Sequence, residues 1–479
     1  MIPPRLQRII GDGTPARLLA DRFASAGHEL YLVGGSVRDA LLGRVDGDRD
    51  LDFTTTARPE EIKRIVDGFG PVFTVGEAFG TIGVVADDVV LEITTFRSEI
   101  YRDDSRKPHV SYSDSLDEDL SRRDFTVNAI ALRIDDPLTV DPFGGLADLA
   151  AGVLRTPIGP EVSFSDDPLR MLRLYRFVSQ LGFEPTPAAA AAVREMAHRI
   201  EIISAERIRD ELEKLVVGEH VTDALVGLVE SGLAEHFIPE LPALAMETDP
   251  LHHHKDVLAH SIAVTAKTSP KPVLRLAALL HDIGKPDTRE FGPDGGVSFH
   301  HHEVVGARMA RARLKALRFP RDVVSDVGQL VFLHMRPHTF KQGWTDSAVR
   351  RYIRDAGPLL DDLNELVRCD VTTRNPKRAA TIQRRIDEME RRIEEVSAAE
   401  EVAAMRPPID GTQVMAYLGV GPSRQVGEVM RLLTEHRIDH GPFDEDEAFA
   451  LIEAWAAEHG IDVPDPAARP DSTKRDEED

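Results

Sequence analysis

The sequence predicts an α+β protein, with a mixed α/β head over residues 1–150 and helical domains beyond it. Three observations carry this. Strand-like apolar runs broken by glycine turns are confined to the first 150 residues. From about residue 160 nearly every segment is rich in Ala, Leu, Glu and Arg with helical periodicity, and Pro or Gly falls mainly at the joints. A chain of 479 residues is too long for one ordinary core, so about three domains are expected. Breaks at ELPALAMETDP (240–250) and MRPPIDG (405–411) divide the helical part into 151–240, 250–400 and 405–464. The Pro-, Asp- and Lys/Arg-rich tail, 465–479, is expected to be disordered.

Within the head, residues 3–26 read as an amphipathic helix, and LYLVGGSVRDALLG (30–43) passes from an apolar strand through a glycine turn into a helix. RDLDFTT (49–55) alternates like a strand, and a helix is expected at 59–68. TIGVVAD and VVLEITTF read as two strands about a turn at Asp87–Asp88. Apolar runs are short and cut by charge or glycine, which excludes a membrane span and a secretory core segment and leads us to expect a cytoplasmic location. The single Cys369 excludes an internal disulfide. A formal charge of −24 argues against a nucleic-acid partner, since phosphate is bound by Lys and Arg. Distribution matters more than the sum: residues 304–321 carry six basic groups and no acid, as a solvated helical face or as an RNA contact.

Gly34-Gly35 place bare backbone N–H groups at a helix start, where a triphosphate would be welcome, and Arg38 one turn in adds bidentate donors. Alone, this is equally an ordinary strand-to-helix turn. Asp50 and Asp52 change the balance. At i and i+2 on a strand their carboxylates share a face, an arrangement costly unless neutralised. Two divalent ions about 3.5–4 Å apart would neutralise them, activate a 3′-hydroxyl and steady a leaving pyrophosphate. Glu92 is either a third ligand or an exposed strand residue.

These residues belong to a longer series: LVGGSVRDALLG, DLD, DLSRRDFTVNAIA (119–131), DPFGGLADL (141–149), DDPLRMLRLYRF and SAERIRDEL (204–212). In this order they resemble the motifs of class II tRNA nucleotidyltransferases and bacterial poly(A) polymerases. The resemblance implies a polymerase-β-like palm using Mg2+, a nucleotide-selecting and RNA-binding neck at 151–240, and addition or repair of the CCA end of tRNA from CTP and ATP. Base selection also follows from chemistry. Cytosine and adenine both pair an exocyclic amine donor with a ring-nitrogen acceptor, which a carboxylate beside a guanidinium complements; uracil and guanine present the reverse. Asp167 and Arg170, at i and i+3, are expected on one helical face to do this. By resemblance Arg123, Arg173 and Arg176 hold the nucleotide and its phosphates; for Asp124 and Asn128, direct contact with the nucleotide and a role in orienting Arg123 or capping the neck are equally open. The segment 95–113, charged and aromatic without helical pattern, is similar to the mobile loop of complete CCA-adding members, although poly(A) synthesis stays open.

In the helical half, His260, His281-Asp282, His302, His334 and Asp370 form a second series suited to a divalent transition metal. Their order is similar to that of HD-superfamily phosphohydrolases. His302 is preferred over His300 and His301 because HEVVGA reads as a helix start, and His252–His254 read as a loop run. The resemblance implies possible hydrolysis of cyclic or terminal phosphates. A retained tRNA-binding scaffold is the alternative here. A third overall reading has HD hydrolysis as the main activity, with the head as a regulatory transferase.

Overall fold

The structure, a computed structural model, describes residues 4–464 except 45–49, 75, 78–79, 101–108, 137, 247–255, 293–296, 338–343, 372–375 and 401–405. The expected first helix is two: α1 (Pro4–Ile10) and α2 (Pro15–Ser25). Gly13 at φ 82° breaks the run, and Thr14 caps α2 by accepting from the Arg17 amide at 3.3 Å ahead of Pro15.

The strands of the head are β1 (Leu30–Val33), β2 (Asp50–Thr55), β3 (Val72–Phe73), β4 (Thr81–Ala86), β5 (Val89–Thr95), β6 (Arg97–Ile100), β7 (His109–Tyr112), β8 (Ala131–Arg133) and β9 (Thr139–Val140), and two short pairs, Val153–Leu154 with Glu184–Pro185 and Arg289–Phe291 with Val297–Phe299, interrupt the helical part. Seven form one mixed sheet in the order β3-β4-β5-β2-β1-β8-β9. β2 is its middle strand, parallel to β5 and antiparallel to β1. The β4–β5 hairpin turns where expected, with Asp87 and Asp88 both at positive φ. The segment expected to be a loop contributes the hairpin β6–β7, and its centre, 101–108, lies outside the described residues.

Helices α3 (Gly35–Leu42) and α4 (Pro59–Val66) pack with α1 and α2 on the sheet over a core that includes Leu19, Phe23, Leu32, Phe53, Ile62 and Ile93. Two short helices, α5 (Leu116–Ser121) and α6 (Gly145–Ala151), lead out of the head.

The neck is built from α7 (Pro160–Asp166), α8 (Leu169–Leu181), α9 (Pro187–Met196), α10 (Ala205–Val216) and α11 (Val221–Glu230). α8 is buried almost all round, with α10 and α11 against it. A side chain at Gly227 would strike the Tyr175 ring, which is why α11 is bare there. The next helices are α12 (Val257–Lys267), α13 (Pro272–Leu280), α14 (His302–Ala316), α15 (Arg321–Leu333), α16 (Asp346–Ala356), α17 (Leu360–Cys369) and α18 (Pro376–Glu400). One hydrophobic cluster runs without interruption from Phe125 through the neck to Val396. A smaller cluster holds α19 (Gly411–Leu418), α20 (Arg424–His440) and α21 (Glu445–Glu458) together. Arg350 on α16 ties this unit on by donating to the Ile438 carbonyl at 3.1 Å.

Arg275 fastens α13 to the neck. It is buried, and Nη1 donates to the carbonyls of Val216 (2.8 Å) and Gly218 (2.7 Å), at the end of α10, while Nε donates to Thr268 (3.2 Å). Removing it strands three carbonyls without a partner, so Arg275→Met is expected to destabilise the helical part by about 3 kcal/mol. Chemical denaturation monitored by circular dichroism checks this; an unchanged midpoint would remove Arg275 as the fastening.

Candidate active site and helical metal centre

β2 presents Asp50 and Asp52 outward while Leu51 and Phe53 point into the core, as alternation requires. The parallel register sets Asp52 directly across from Glu92 on β5, so three carboxylates share one face. Burial, and then repulsion from Asp52 and Asp50, raise the Glu92 carboxyl above its ordinary range. A purely oxygen donor set under mutual repulsion fits a hard divalent cation, and Asp50, Asp52 and Glu92 are the residues that would hold it.

The glycine turn borders this face. Gly34, at φ 76°, sits where an L side chain would be strained, and Asp52 Oδ2 and Arg123 Nη1 both lie 3.4 Å from where a Cβ would stand, so the turn's bare backbone adjoins the carboxylate and the guanidinium. Gly35 begins α3. Arg38, however, does not offer its fork to this space. Its Nε and Nη2 donate to Asp39 (2.8 and 2.7 Å), Nη1 donates to Asn128 Oδ1 (2.7 Å), and the guanidinium lies 5.0 Å over the Phe177 ring. The expectation of free bidentate donors at 38 therefore needs correcting: the side chain is a strut between α3 and the neck.

Asp124 is the buried partner of Arg173, accepting from Nε at 2.9 Å and Nη2 at 2.5 Å, while its other oxygen accepts from Asn128 and the Phe125 amide. Burial opposes its ionisation, but Arg173 more than offsets this and holds the carboxyl well below the usual range. Arg173 also approaches Glu211 on α10 at 3.4 Å, and Arg176 pairs with Glu211 at 3.0 Å. In this state both arginines are held by neighbouring carboxylates.

The expected placement of Asp167 and Arg170 on one helical face also needs correcting. Asp167 is extended (φ −141°, ψ 99°) between α7 and α8, where Oδ1 accepts from the Leu169 amide and Oδ2 from Arg207 at 2.7 Å. Arg170 is buried and donates to Ser163 Oγ at 2.9 Å and to the Arg122 carbonyl. The two remain adjacent through the bond from the Arg170 amide to the Asp167 carbonyl, but the Arg170 guanidinium is turned to Ser163 and the Arg122 carbonyl.

Asp119, quoted only as the first residue of a motif, emerges as a positioning residue. It is fully buried, pairs with Arg122 (2.7 Å) and Arg123 (3.5 Å), and accepts from Thr54 Oγ1 on β2 and from the Arg97 amide at the start of β6. One carboxylate thus joins the catalytic strand, the β6–β7 hairpin and Arg123. In the sequence Asp119 is only the first residue of DLSRRDFTVNAIA, because its partners Thr54 and Arg97 lie far from it along the chain.

The six ligands expected in the helical half converge. His260 lies on α12, His281-Asp282 follow α13, His302 opens α14, and His334 and Asp370 follow α15 and α17. Asp282 stands between two groups: Oδ2 is 3.2 Å from His281 Nε2 and 3.6 Å from His260 Nε2, while Oδ1 is 3.5 and 3.9 Å from His302 and His334 Nε2. Asp370 completes the first group, 2.8 Å from His260 Nε2. His281, His302 and His334 each engage a carbonyl through Nδ1, those of Ala278, Phe299 and Val331 at 2.6–2.8 Å. Nδ1 of each ring therefore donates, which leaves Nε2 aimed inward at the carboxylates, and the Nε2 atoms of His302 and His334 are buried with no hydrogen-bond partner. Orphaned imidazole nitrogens around a carboxylate fit metal ions, and the pair of ligand groups, His260/His281/Asp370 and Asp282/His302/His334, fits two. Close approach of α14 depends on Gly284, where a Cβ would sit 2.3 Å from the His302 carbonyl oxygen. His252–His254 lie outside the described residues.

Comparison with known proteins follows the same division. Family models match residues 30–155 ("Poly A polymerase head domain"), 182–244 ("Probable RNA and SrmB- binding site of polymerase A") and 257–392 ("HD domain"). The chain thus joins a nucleotidyltransferase head and RNA-binding neck to an HD domain, two classes of domain that depend on divalent metal. The A-adding tRNA nucleotidyltransferase of Deinococcus radiodurans is 35% identical over 441 residues, covering 89% of this chain and 95% of that protein. At that extent the chain belongs to the tRNA nucleotidyltransferase and poly(A) polymerase family. The CCA-adding enzyme of Anoxybacillus flavithermus is 44% identical over 216 residues, 45% of this chain and 53% of that one, so the likeness spans about half the length of each. The crystal structure of Bacillus stearothermophilus CCA-adding enzyme in complex with CTP superposes with a TM-score of 0.68 over 96% of this chain and all of that one; at 24% identity this shows a shared fold.

Two predictions arise here. Asp119→Asn, which keeps the shape but removes the charge that pairs with Arg122 and Arg123, should lower kcat for nucleotide transfer roughly tenfold and also lower the melting temperature, because two guanidinium groups lose their buried carboxylate; a kcat equal to the parent's in a steady-state assay of the folded variant would refute the positioning role. In the helical centre, burial and then His281 push His334 down to about 3. A histidine whose folded pKa is depressed contributes stability above its unfolded value of about 6.5 that is lost as pH falls toward the folded value. Metal-free protein should therefore melt at progressively lower temperature below about pH 6.5, and Mn2+ should raise the melting temperature at pH 7.5 in the parent but not in His334→Gln/Asp282→Asn. Calorimetric melts with and without chelator check both.

Proposed function

We propose that the protein transfers CMP and AMP from CTP and ATP to the 3′ end of tRNA, completing or repairing CCA with release of pyrophosphate. The observation that carries this is the register of Asp52 against Glu92 beside Asp50, on a face closed by the Gly34 turn and Arg123. Mg2+ bound there supplies charge neutralisation for the attacking hydroxyl and the departing pyrophosphate. Asp50 and Asp52 hold it, with Glu92 as a third ligand. The backbone at Gly34-Gly35 cradles the triphosphate, and Arg123 faces the same space. Asp167 and Arg170 read the amine edge shared by cytosine and adenine once Arg170 turns from Ser163. Arg173 and Arg176, braced by Asp124 and Glu211, keep that end of α8 in place against the nucleotide. A cytoplasmic setting suits these substrates, and among the described residues no helix is long and apolar enough to cross a membrane.

The relative matching along nearly the whole chain favours a second reading, in which only the terminal A is added to tRNA already ending in CC. Poly(A) synthesis is the third outcome of the same experiment. Purified protein is given tRNA ending at the discriminator base or at CC, with CTP, ATP or both. The first reading expects CTP incorporation into the shorter tRNA and a single A after CC; CTP ignored on every acceptor selects the second; long A tails select the third. Asp50→Ala/Asp52→Ala should abolish extension at least a thousandfold in all three cases.

For the helical centre we propose metal-dependent hydrolysis of terminal or cyclic phosphates, with a divalent transition metal held by His260, His281, Asp282, His302, His334 and Asp370. The orphaned Nε2 atoms around Asp282 support this reading. It predicts phosphate release that survives the Asp50→Ala/Asp52→Ala change and is lost in Asp282→Asn.

A further inference from the structure

Helix α14 carries positive charge that no described carboxylate neutralises. Its inward side is ordinary: His302, Gly306, Ala310 and Leu314 are buried, and Arg313 pairs with Glu240 at 2.8 Å. The outward side carries Arg308 and Lys315, with Arg311 between them turned toward α15, and Arg318 and Arg321 continue the row beyond the helix end. Four of the five, all but Arg311, are exposed. Among the described residues none of them forms an ion pair, although the chain holds 82 acidic and 58 basic side chains. Basic residues on other exposed helical faces do find partners: Arg391 lies between Glu388 and Glu395, and Arg424 pairs with Glu428. A row of like charges kept apart from abundant carboxylates is a surface shaped for a polyanion.

Its position gives the row a direction. α15 is bare at Gly328, where a Cβ would stand 2.4 Å from Arg311 Nε, so the Arg311 side chain lies across that backbone. At one end α14 starts with His302 of the metal centre. At the other, the Arg318 carbonyl accepts from Arg209 of α10 at 2.8 Å, and on the same helix Arg207 holds Asp167 at 2.7 Å. A 15-residue helix is about 22 Å long, so the cations bridge the distance between the histidine centre and the neck.

We propose that the outward face of α14 is a track for the phosphodiester backbone of the RNA substrate, running between the neck and the HD centre. The proposal rests on RNA being the substrate. The test is equilibrium binding of tRNA lacking CCA, measured by fluorescence anisotropy from low to moderate salt. It compares the full-length parent with Arg308→Gln/Lys315→Gln/Arg321→Gln, and with a control of equal charge change, Arg391→Gln/Arg392→Gln/Arg424→Gln. Losing three phosphate contacts should make the slope of log affinity against log salt shallower by about two and weaken binding roughly tenfold or more. The control should match the parent, and KM for ATP should be unchanged in both. An unaltered slope in the first triple overturns the track, as does an equal change in the control, which would trace the effect to net charge. Parent protein that partitions onto anionic phospholipid vesicles, lost in the triple while the tRNA slope stays put, would assign the face to a membrane instead. Tight tRNA binding without extension by any NTP would sink the transferase reading alone, leaving the slope comparison to judge the track.

Discussion

A buried carboxylate, that of Asp124, is the point on which head and neck meet. It sits in the motif that leaves the head, yet it is spent on Arg173 of α8 and on Asn128, which passes the connection to Arg38 and so to Asp39. On the far side Arg173 and Arg176 share Glu211. The result is an unbroken polar chain from α3 through the head exit into α8 and α10, within apolar surroundings that include Phe125 and Phe177. Such a network is worth having only when nearly every member is satisfied, because an uncompensated charge in that setting costs several kcal/mol. Helix α8 therefore has a fixed bearing on β2 without any direct contact between the two being needed.

What was legible in the sequence depended on periodicity. Asp50 and Asp52 could be placed on one face because strand side chains alternate strictly, and the β4–β5 hairpin could be placed from its Asp-Asp turn. Glu92 stayed ambiguous, since register across a parallel pair is long-range information. Asp167 and Arg170 were set on one helix because the pattern DDPLR runs into a helical stretch, but Asp167 does the work of a helix-starting residue and accepts from the Leu169 amide. A pattern cannot tell the first turn of a helix from the residue that caps it. The arginines show a further limit. Arg38, Arg173 and Arg176 were each read as facing a nucleotide, yet a guanidinium offered to a ligand and one clasped by a carboxylate 49 residues away look the same in sequence.

The histidine series was legible as a set, because ligand types at helix ends are sparse and ordered. Its internal division was not. Only the fold shows that the two oxygens of Asp282 face different histidines, and only hydrogen bonds through Nδ1 show which nitrogen each ring turns inward. The basic run at 304–321 is likewise divided by the structure: Arg313 pairs with Glu240 and Arg311 lies against α15, while Arg308, Lys315, Arg318 and Arg321 are exposed.

The continuous hydrophobic cluster from Phe125 to Val396, pinned by Arg275, bears on how such a chain can change over evolutionary time. A gene shortened after the neck would cut this shared cluster and open apolar faces of α10 and α11, which pack against α13 and α12, so the later helices are retained by the demands of folding whether or not they perform chemistry. Persistence of the helices in descendants is thus uninformative about hydrolysis. The record of an abandoned activity would be written in six side chains only, as drift at positions such as His302 and Asp370 while the apolar residues around them stay put.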